Sequence, residues 1–226
     1  SSIVTVNPVD ATTVGTYTVT YNVTDANGNV AVEVTRIVNV VDTTVPVITL
    51  TGESTVTIEV GSTYTDAGAT ATDNYDGDIT SSIVTVSPVD TAVVGVYTLT
   101  YNVTDTNGNA AVEVTRIVNV VDTTLPVITL TGESTVTIEV ESTYTDAGAT
   151  AEDNYDGDIT SSIVTVNPVD TDVVGVYTLT YNVTDANGNV AVEVTRTVNV
   201  VDTTVPVITL TGESTVTIEV ESTYTD

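Results

Sequence analysis

The strongest constraint on this chain is its self-similarity. VDTTVPVITLTGESTVTIEV begins at Val41, returns with a single change at Val121 and recurs unchanged at Val201, a spacing of 80 residues. SSIVTV keeps the same step at Ser1, Ser81 and Ser161. A period of this length marks a repeat architecture, in which one unit folds several times over. Cutting ahead of each VPVITL or LPVITL gives two complete units, 45–124 and 125–204. Residues 1–44 are then the C-terminal part of a unit, and 205–226 the N-terminal strands of another. Each partial unit would leave a half-covered core and open sheet edges, which invite pairing with another chain. The expectation is a window on a longer polypeptide, with strand complementation between separate chains as the alternative.

Within a unit the hydrophobic period is two, the mark of half-buried strands. VITL opens a first strand, which TVTIEV continues beyond a kink at Gly52. A second strand, TYTDAGATATD, leads into the loop DNYDGD; ITSSIVTV, a short VDTAVV segment and VYTLTYNVTD follow. Asn107-Gly108 closes a hairpin with AVEVTRIVNVV, since Asn-Gly suits the turns that match strand twist. About seven short β-branched strands per repeat, with no helical period, read as all-β: tandem immunoglobulin-like antiparallel β-sandwiches. The chain has no Phe, Trp or Met, so packing falls to Val, Ile, Leu and Tyr. From Gly95 onward, alternation puts Tyr97, Leu99, Tyr101 and Val103 on one face. Tyr97, just after a glycine turn, stands where such folds place a tyrosine corner. Parity sets Arg116 on the side of Val112 and Val114, unless a bulge near Thr115 releases it.

The charge balance narrows function. Thirty-one acidic residues face three arginines, with no lysine or histidine, for a formal net charge of −28. No basic surface for phosphate can be built, which excludes nucleic acid as a partner. Anionic membranes repel such a chain, and no apolar run approaches the ~18 residues of a membrane span. At 41% hydrophobic residues the chain still has enough apolar surface to fold. Without Cys there is no disulfide, thiolate site or cysteine nucleophile. Without His the commonest general base and zinc ligand are absent. Without Lys, neither Schiff bases nor Lys–Asn isopeptide cross-links can form, and the many Ser and Thr hydroxyls have nothing to activate them. Paired carboxylates could serve a glycosidase, but a small sandwich in tandem offers loops at narrow ends instead of a concave site. The chain reads as non-catalytic.

The aspartates are unevenly spread. DNYDGD occurs at 73–78 and 153–158, setting three aspartates within six residues. Tracing the strands through a sandwich brings this loop, the following Asn-Gly hairpin and the linker aspartate ahead of each unit to one end. For 45–124 the set is Asp42, Asp73, Asp76, Asp78 and Asp105, with Asn107 and Asn109. For 125–204 it is Asp122, Asp153, Asp156, Asp158 and Asp185, with Asn187 and Asn189, and Asp202 opens a third set. Hard oxygen ligands in such number are what calcium takes, whereas magnesium keeps more of its water. Calcium is therefore the expected cofactor, at each domain junction. The spacing is not that of an EF-hand, since Val164 stands where the loop's last Glu would be. Nor is it the glycine-rich nonapeptide of calcium β-rolls. The plain alternative is an acidic turn, in which Asp and Asn bond their own backbone and Gly supplies positive φ. Asn22, Asn102 and Asn182 each open an N-glycosylation sequon on an outward strand face.

PVITLTGESTVTIEVGSTYTDAGATATDNYDGDIT, followed by GVYTLTYNVTDTNGNAAVEVTRIVNVVD, resembles the immunoglobulin-like repeats of bacterial surface proteins and adhesins, relatives of hyalin-repeat and cadherin-like sandwiches. Asp-Ala-Gly-Ala-Thr-Ala, Asp-Gly-Asp-Ile, Gly-x-Tyr-x-x-x-Tyr and Asp-x-x-Gly-Asn carry the likeness, which covers the whole chain. It implies a secreted, extracellular or cell-surface location and a role in a stalk, adhesin or fibre. Calcium between domains is known in cadherin-like relatives, whose linker motifs are not reproduced here. The expected function is a structural repeat array, a stiff calcium-stabilised stalk or fibre of a bacterial or archaeal surface adhesin. The linker VVDTTVP supports stiffness, having no Gly or Ser run and a residue held extended ahead of proline. The alternatives are a subunit of an assembled extracellular filament and a carbohydrate-binding accessory module of a secreted enzyme. The expected partners are neighbouring repeats, with identical chains in a fibre or a surface glycan or protein as further candidates.

Overall fold

The computed structural model describes residues 2–226, in which the regular structure is strand apart from two short 3₁₀ turns, Thr80–Ser82 and Thr160–Ser162. The chain divides into two compact units, one ending at Asp122 and one running Thr123–Asp226. In the first, β1 (Val4–Val6), β2 (Gly15–Asn22) and β3 (Val34–Val40) make an antiparallel sheet in that order. The complete repeat follows with β4 (Val47–Leu50), β5 (Thr55–Glu59), β6 (Ala69–Asp73), β7 (Gly77–Asp78), β8 (Val84–Val86), β9 (Gly95–Asn102) and β10 (Val114–Val121). Its two sheets are β4-β6-β7 and β5-β10-β9-β8. Ile48 and Ala71 from the first sheet meet Leu99, Tyr101, Val118 and Val120 from the second in one core.

The second unit repeats the plan with β11 (Val127–Leu130), β12 (Thr135–Glu139), β13 (Ala149–Asp153), β14 (Gly157–Asp158), β15 (Val164–Val166), β16 (Gly175–Asn182) and β17 (Val194–Val201). The sheets are β11-β13-β14 and β12-β17-β16-β15. Two facing sheets of seven strands in all are the immunoglobulin-like sandwich that the alternating pattern implies. Residues 205–226 repeat the sequence of the front strands but form none here. In a complete repeat the TVTIE strand pairs with residues far downstream, Thr135 with Thr197 for example.

Three details differ from the sequence reading. The first strand does not run on past Gly52, whose φ of +79° turns the chain out of its sheet. TVTIE becomes β5 in the opposite sheet and pairs in parallel with β10, Thr55 facing Ile117 and Glu59 facing Val121. A strand that changes sheet without reversing keeps its direction, so the sandwich is antiparallel except at β5–β10 and β12–β17. Of TYTDAGATATD only Ala69–Asp73 is strand, after Gly68 at φ +76°. Finally, the Asn107-Gly108 turn is part of a longer loop, closed by the Asp105 N–H on the Asn109 carbonyl at 3.1 Å.

That loop explains Arg116. Thr104 faces Ala110 whereas Tyr101 faces Val114, so one extra residue is accommodated among 111–113, a bulge placed earlier than Thr115. It turns Val112 outward, 78% exposed, and leaves Arg116 inward, 1% exposed. The Arg116 Nε donates to the Glu53 carbonyl at 2.9 Å, and Nη2 donates to the carbonyls of Thr51 and, at 3.2 Å, Gly68. Nη1 pairs with Asp66 and reaches the Tyr101 hydroxyl at 3.1 Å. That hydroxyl donates to both Asp66 oxygens, at 2.8 and 2.9 Å. Arg196, Asp146 and Tyr181 repeat the network in the second unit. The tyrosine corner is present as well: the Tyr97 hydroxyl donates to the Val93 carbonyl at 2.9 Å, and a Cβ on Gly95 would meet the Tyr97 ring at 3.5 Å.

Burial pushes the Asp66 carboxyl upward, but the Tyr101 hydroxyl, the Gly68 N–H and Arg116 outweigh it and hold its pKa below the usual aspartate value. A depressed carboxyl contributes stability above its unfolded pKa of ~3.9, and that contribution is lost as pH falls through the folded value. Arg116→Met should therefore cost roughly 3 kcal/mol in a denaturant titration, because Asp66 and three carbonyls lose their donor. Asp66→Asn should flatten the acid limb of a plot of Tm against pH. A variant with unchanged midpoint would show that the network adds nothing to the fold.

Candidate metal centre

In the first unit, three chain segments bring carboxylates together. Asp42 comes from the linker after β3, Asp73 from the end of β6 and Asp105 from the loop after β9, and one oxygen of each lies within 4.8 Å of the others. Local structure sets each side chain. Oδ1 of Asp73 accepts the N–H groups of Tyr75 at 2.8 Å and Asp76 at 3.0 Å, an Asx turn that opens the DNYDGD loop. Oδ1 of Asp105 accepts the N–H groups of Asn107 at 2.9 Å and Asn109 at 2.7 Å, and Oδ2 accepts the Asn109 amide at 2.7 Å. The same amide nitrogen donates to the Asp42 carbonyl at 3.3 Å, tying the linker to the hairpin loop. Asp42 uses Oδ1 to accept the Thr44 N–H at 3.1 Å.

Two oxygens in the cluster remain buried with no hydrogen-bond partner, Oδ2 of Asp42 and Oδ2 of Asp73. Such an orphan ordinarily costs free energy, because a carboxylate taken from water must be compensated. Burial raises the Asp105 pKa, but the Asn109 amide and the N–H groups of Asn109, Asn107 and Gly108 more than reverse it, so this member is held ionised. No internal cation answers these charges. The chain has three basic residues: Arg116 and Arg196 are engaged with Asp66 and Asp146, and Arg36 lies over the Tyr21 ring at 5.8 Å.

The remaining expected ligands are occupied elsewhere. Asp76 accepts the Thr106 N–H at 2.8 Å and the Thr106 hydroxyl at 2.7 Å, binding the two loops to each other. Asp78 is exposed and accepts the Thr80 N–H at 3.0 Å. The Asn107 side chain is exposed and accepts from the Thr106 hydroxyl at 3.1 Å. In the second unit Asp153 and Asp185 are buried and make the same local bonds, to Tyr155 and Asp156 and to Asn187 and Asn189. Asp122, which closes the first unit, is also buried. Asp156 accepts the Ala186 N–H at 2.7 Å, Asp158 accepts the Thr160 N–H at 2.9 Å, and Asp202 is exposed. Thr106 was not singled out in the sequence, although a Thr between Asp105 and Asn107 is a natural donor. Asn102 is exposed and its amide donates to Glu113 at 2.7 Å, while Asn22 and Asn182 are half-buried at strand ends.

A family model described as Bacterial surface protein, Ig-like domain matches residues 48–120 and 128–200. The chain is 33% identical over 222 residues to hyalin of Strongylocentrotus purpuratus, covering 91% of this chain and 18% of that protein. It is 39% identical over 218 residues to hyalin of Lytechinus variegatus, covering 90% of this chain and 40% of that one. The chain thus spans well under half the length of these curated relatives. Among solved structures, a lipoprotein of Bacteroides thetaiotaomicron aligns at 29% identity and a TM-score of 0.33, over 36% of this chain and 40% of that one. No helix among the described residues is long and apolar enough to cross a membrane.

The orphaned oxygens make a prediction with a definite sign. In chelator, Asp73→Asn keeps the acceptor for Tyr75 and Asp76 but replaces an unpartnered carboxylate oxygen with a donor. It should stabilise the metal-free protein by about 1 kcal/mol, a rise in Tm of roughly 4–8 °C for a repeat of this size. A lower Tm in scanning calorimetry would mean that the Asp73 carboxylate is already compensated.

Proposed function

The chain belongs to the family of bacterial surface protein Ig-like domains, and we propose that its repeats form a non-catalytic extracellular array, a stalk or fibre stiffened by calcium at each junction. One observation carries the reading. Asp42 lies in the linker, whereas Asp73 and Asp105 lie in loops of the repeat that follows, and their carboxylates converge with two buried oxygens unanswered. A divalent cation held there ties linker to repeat and neutralises a cluster for which the chain offers no positive side chain. Carboxylate, amide and backbone oxygens suit a hard cation of flexible coordination, which favours calcium over magnesium.

The candidate ligands are Asp42, Asp73 and Asp105 with the Asn109 side chain beside them, and water completes the shell. Asp76 and Asp78 leave the first set: one braces the loops and the other caps a turn. The family's description as a bacterial surface protein domain supports a surface location.

An ion that binds only the folded form stabilises it by roughly 2.7 kcal/mol at 100 times its Kd. The test is calorimetry and small-angle scattering on the chain with calcium and with chelator at matched ionic strength. The expected result is a clear rise in Tm with calcium and a narrower distribution of interdomain distances. Asp42→Asn should weaken binding at least tenfold in a calcium titration. Identical melting and scattering in both buffers would leave the acidic loops as solvated turns.

A further inference from the structure

The linker after β17 is held by a second set of contacts, apart from the carboxylate cluster. β12 and β17 run in parallel and stop together, Glu139 opposite Val201, with the Val140 N–H on the Val201 carbonyl at 2.7 Å. Beyond this point β12 turns away and β17 becomes the linker. The Glu139 side chain reaches past the end of the ladder and takes four donors from that linker. Oε1 accepts the Thr203 N–H at 2.7 Å, the Thr204 N–H at 3.1 Å and the Thr204 hydroxyl at 3.0 Å. Oε2 accepts the Thr203 hydroxyl at 2.7 Å. The Thr204 N–H is shared with Oδ1 of Asp202 at 3.1 Å, so linker aspartate and strand glutamate hold the same amide.

We propose that Glu139 with Thr203 and Thr204 is a cation-independent clamp that sets the direction in which the chain leaves the repeat. Glu139 is a positioning residue: both its oxygens are engaged by the linker that carries Asp202. Several facts support a specific role over a solvated glutamate. Backbone and side-chain donors of two consecutive threonines converge on one carboxylate. The Thr203 hydroxyl and N–H, aided by Thr204 and opposed by burial, draw the Glu139 pKa down to about 2. The sequence repeats the parts in step: Glu59 precedes Thr123 and Thr124 by the same intervals as Glu139 precedes Thr203 and Thr204. In the linker DTTVP each threonine supplies a hydroxyl as well as an amide to this carboxylate, which Ala could not.

The clamp needs no metal, so its test is run in chelator and stands apart from the calcium reading. Amide hydrogen exchange is followed by NMR on the full 226-residue chain. In the parent protein, Thr203 and Thr204 should exchange at least tenfold more slowly than their intrinsic rates. Glu139→Ala should abolish that protection at Thr203 and reduce it at Thr204, whose N–H keeps the Asp202 acceptor, while Val140 and Thr197, whose amides bond Val201 and Ser134, stay protected. Should Glu139→Ala loosen the ladder as well, Thr203→Val decides, since it removes one hydroxyl without touching a strand: faster exchange at residues 203 and 204 supports the clamp, and unchanged exchange overturns it. Unprotected Thr203 and Thr204 in the parent, or Thr203 protection that survives Glu139→Ala, would also overturn it.

Discussion

A guanidinium buried between two sheets organises each complete repeat. The core has no large aromatic beyond tyrosine, and valine and threonine alone define a sandwich only loosely, because many registers bury similar area. Arg116 removes that freedom. Its donors can be satisfied only with the Thr51, Glu53 and Gly68 carbonyls and the Asp66 carboxylate in these places. A buried ion pair gains little over apolar packing of equal volume; its contribution is directional. The turn at Gly52, where the chain changes sheet, and the irregular segment ahead of β6 are both pinned to the second sheet through this one side chain.

The fold was readable where information is local. Tyr97 follows a glycine turn and bonds a carbonyl four residues back, so its role is contained in one pentapeptide. Alternation placed Leu99 and Tyr101 inside. What escaped depends on long-range geometry. Asp66 was not distinguished from the other aspartates, because its partner lies 50 residues away and nothing local marks it. The signal was present in another form: the three arginines stand at the same repeat position, Arg36, Arg116 and Arg196, and in both complete repeats that position is buried and needs a fixed anion nearby. The parallel β5–β10 pairing was missed because alternation shows which way side chains point but not which sheet a strand joins.

The candidate site divided along the same line. Strand tracing anticipated that linker, DNYDGD loop and hairpin loop would meet, and Asp42, Asp73 and Asp105 do come together. It could not separate aspartates aimed at the cluster from those aimed at their own backbone. Asp73 and Asp76 stand three residues apart in one loop, yet Asp73 keeps an unanswered oxygen while Asp76 is saturated by Thr106. Composition cannot draw that distinction, which rests on where a neighbouring loop puts a hydroxyl. The clamp at Glu139 lies further still from sequence motifs, since its parts are 64 and 65 residues apart.

The parallel pairing of β5 with β10 has a mechanical consequence. β4 is the first strand after the chain enters the repeat, β5 follows it beyond Gly52, and β5 runs in the same direction as β10, from which the chain leaves. Tension that has drawn β4 out of its short pairing with β6 pulls β5 from its N-terminal end and β10 from its C-terminal end, so the two are dragged past each other lengthwise. Every rung from Thr55 to Glu59 then resists at once, instead of opening one after another as an end-loaded antiparallel hairpin would. A repeat built this way yields in shear, the geometry in which a short ladder of hydrogen bonds withstands the greatest force.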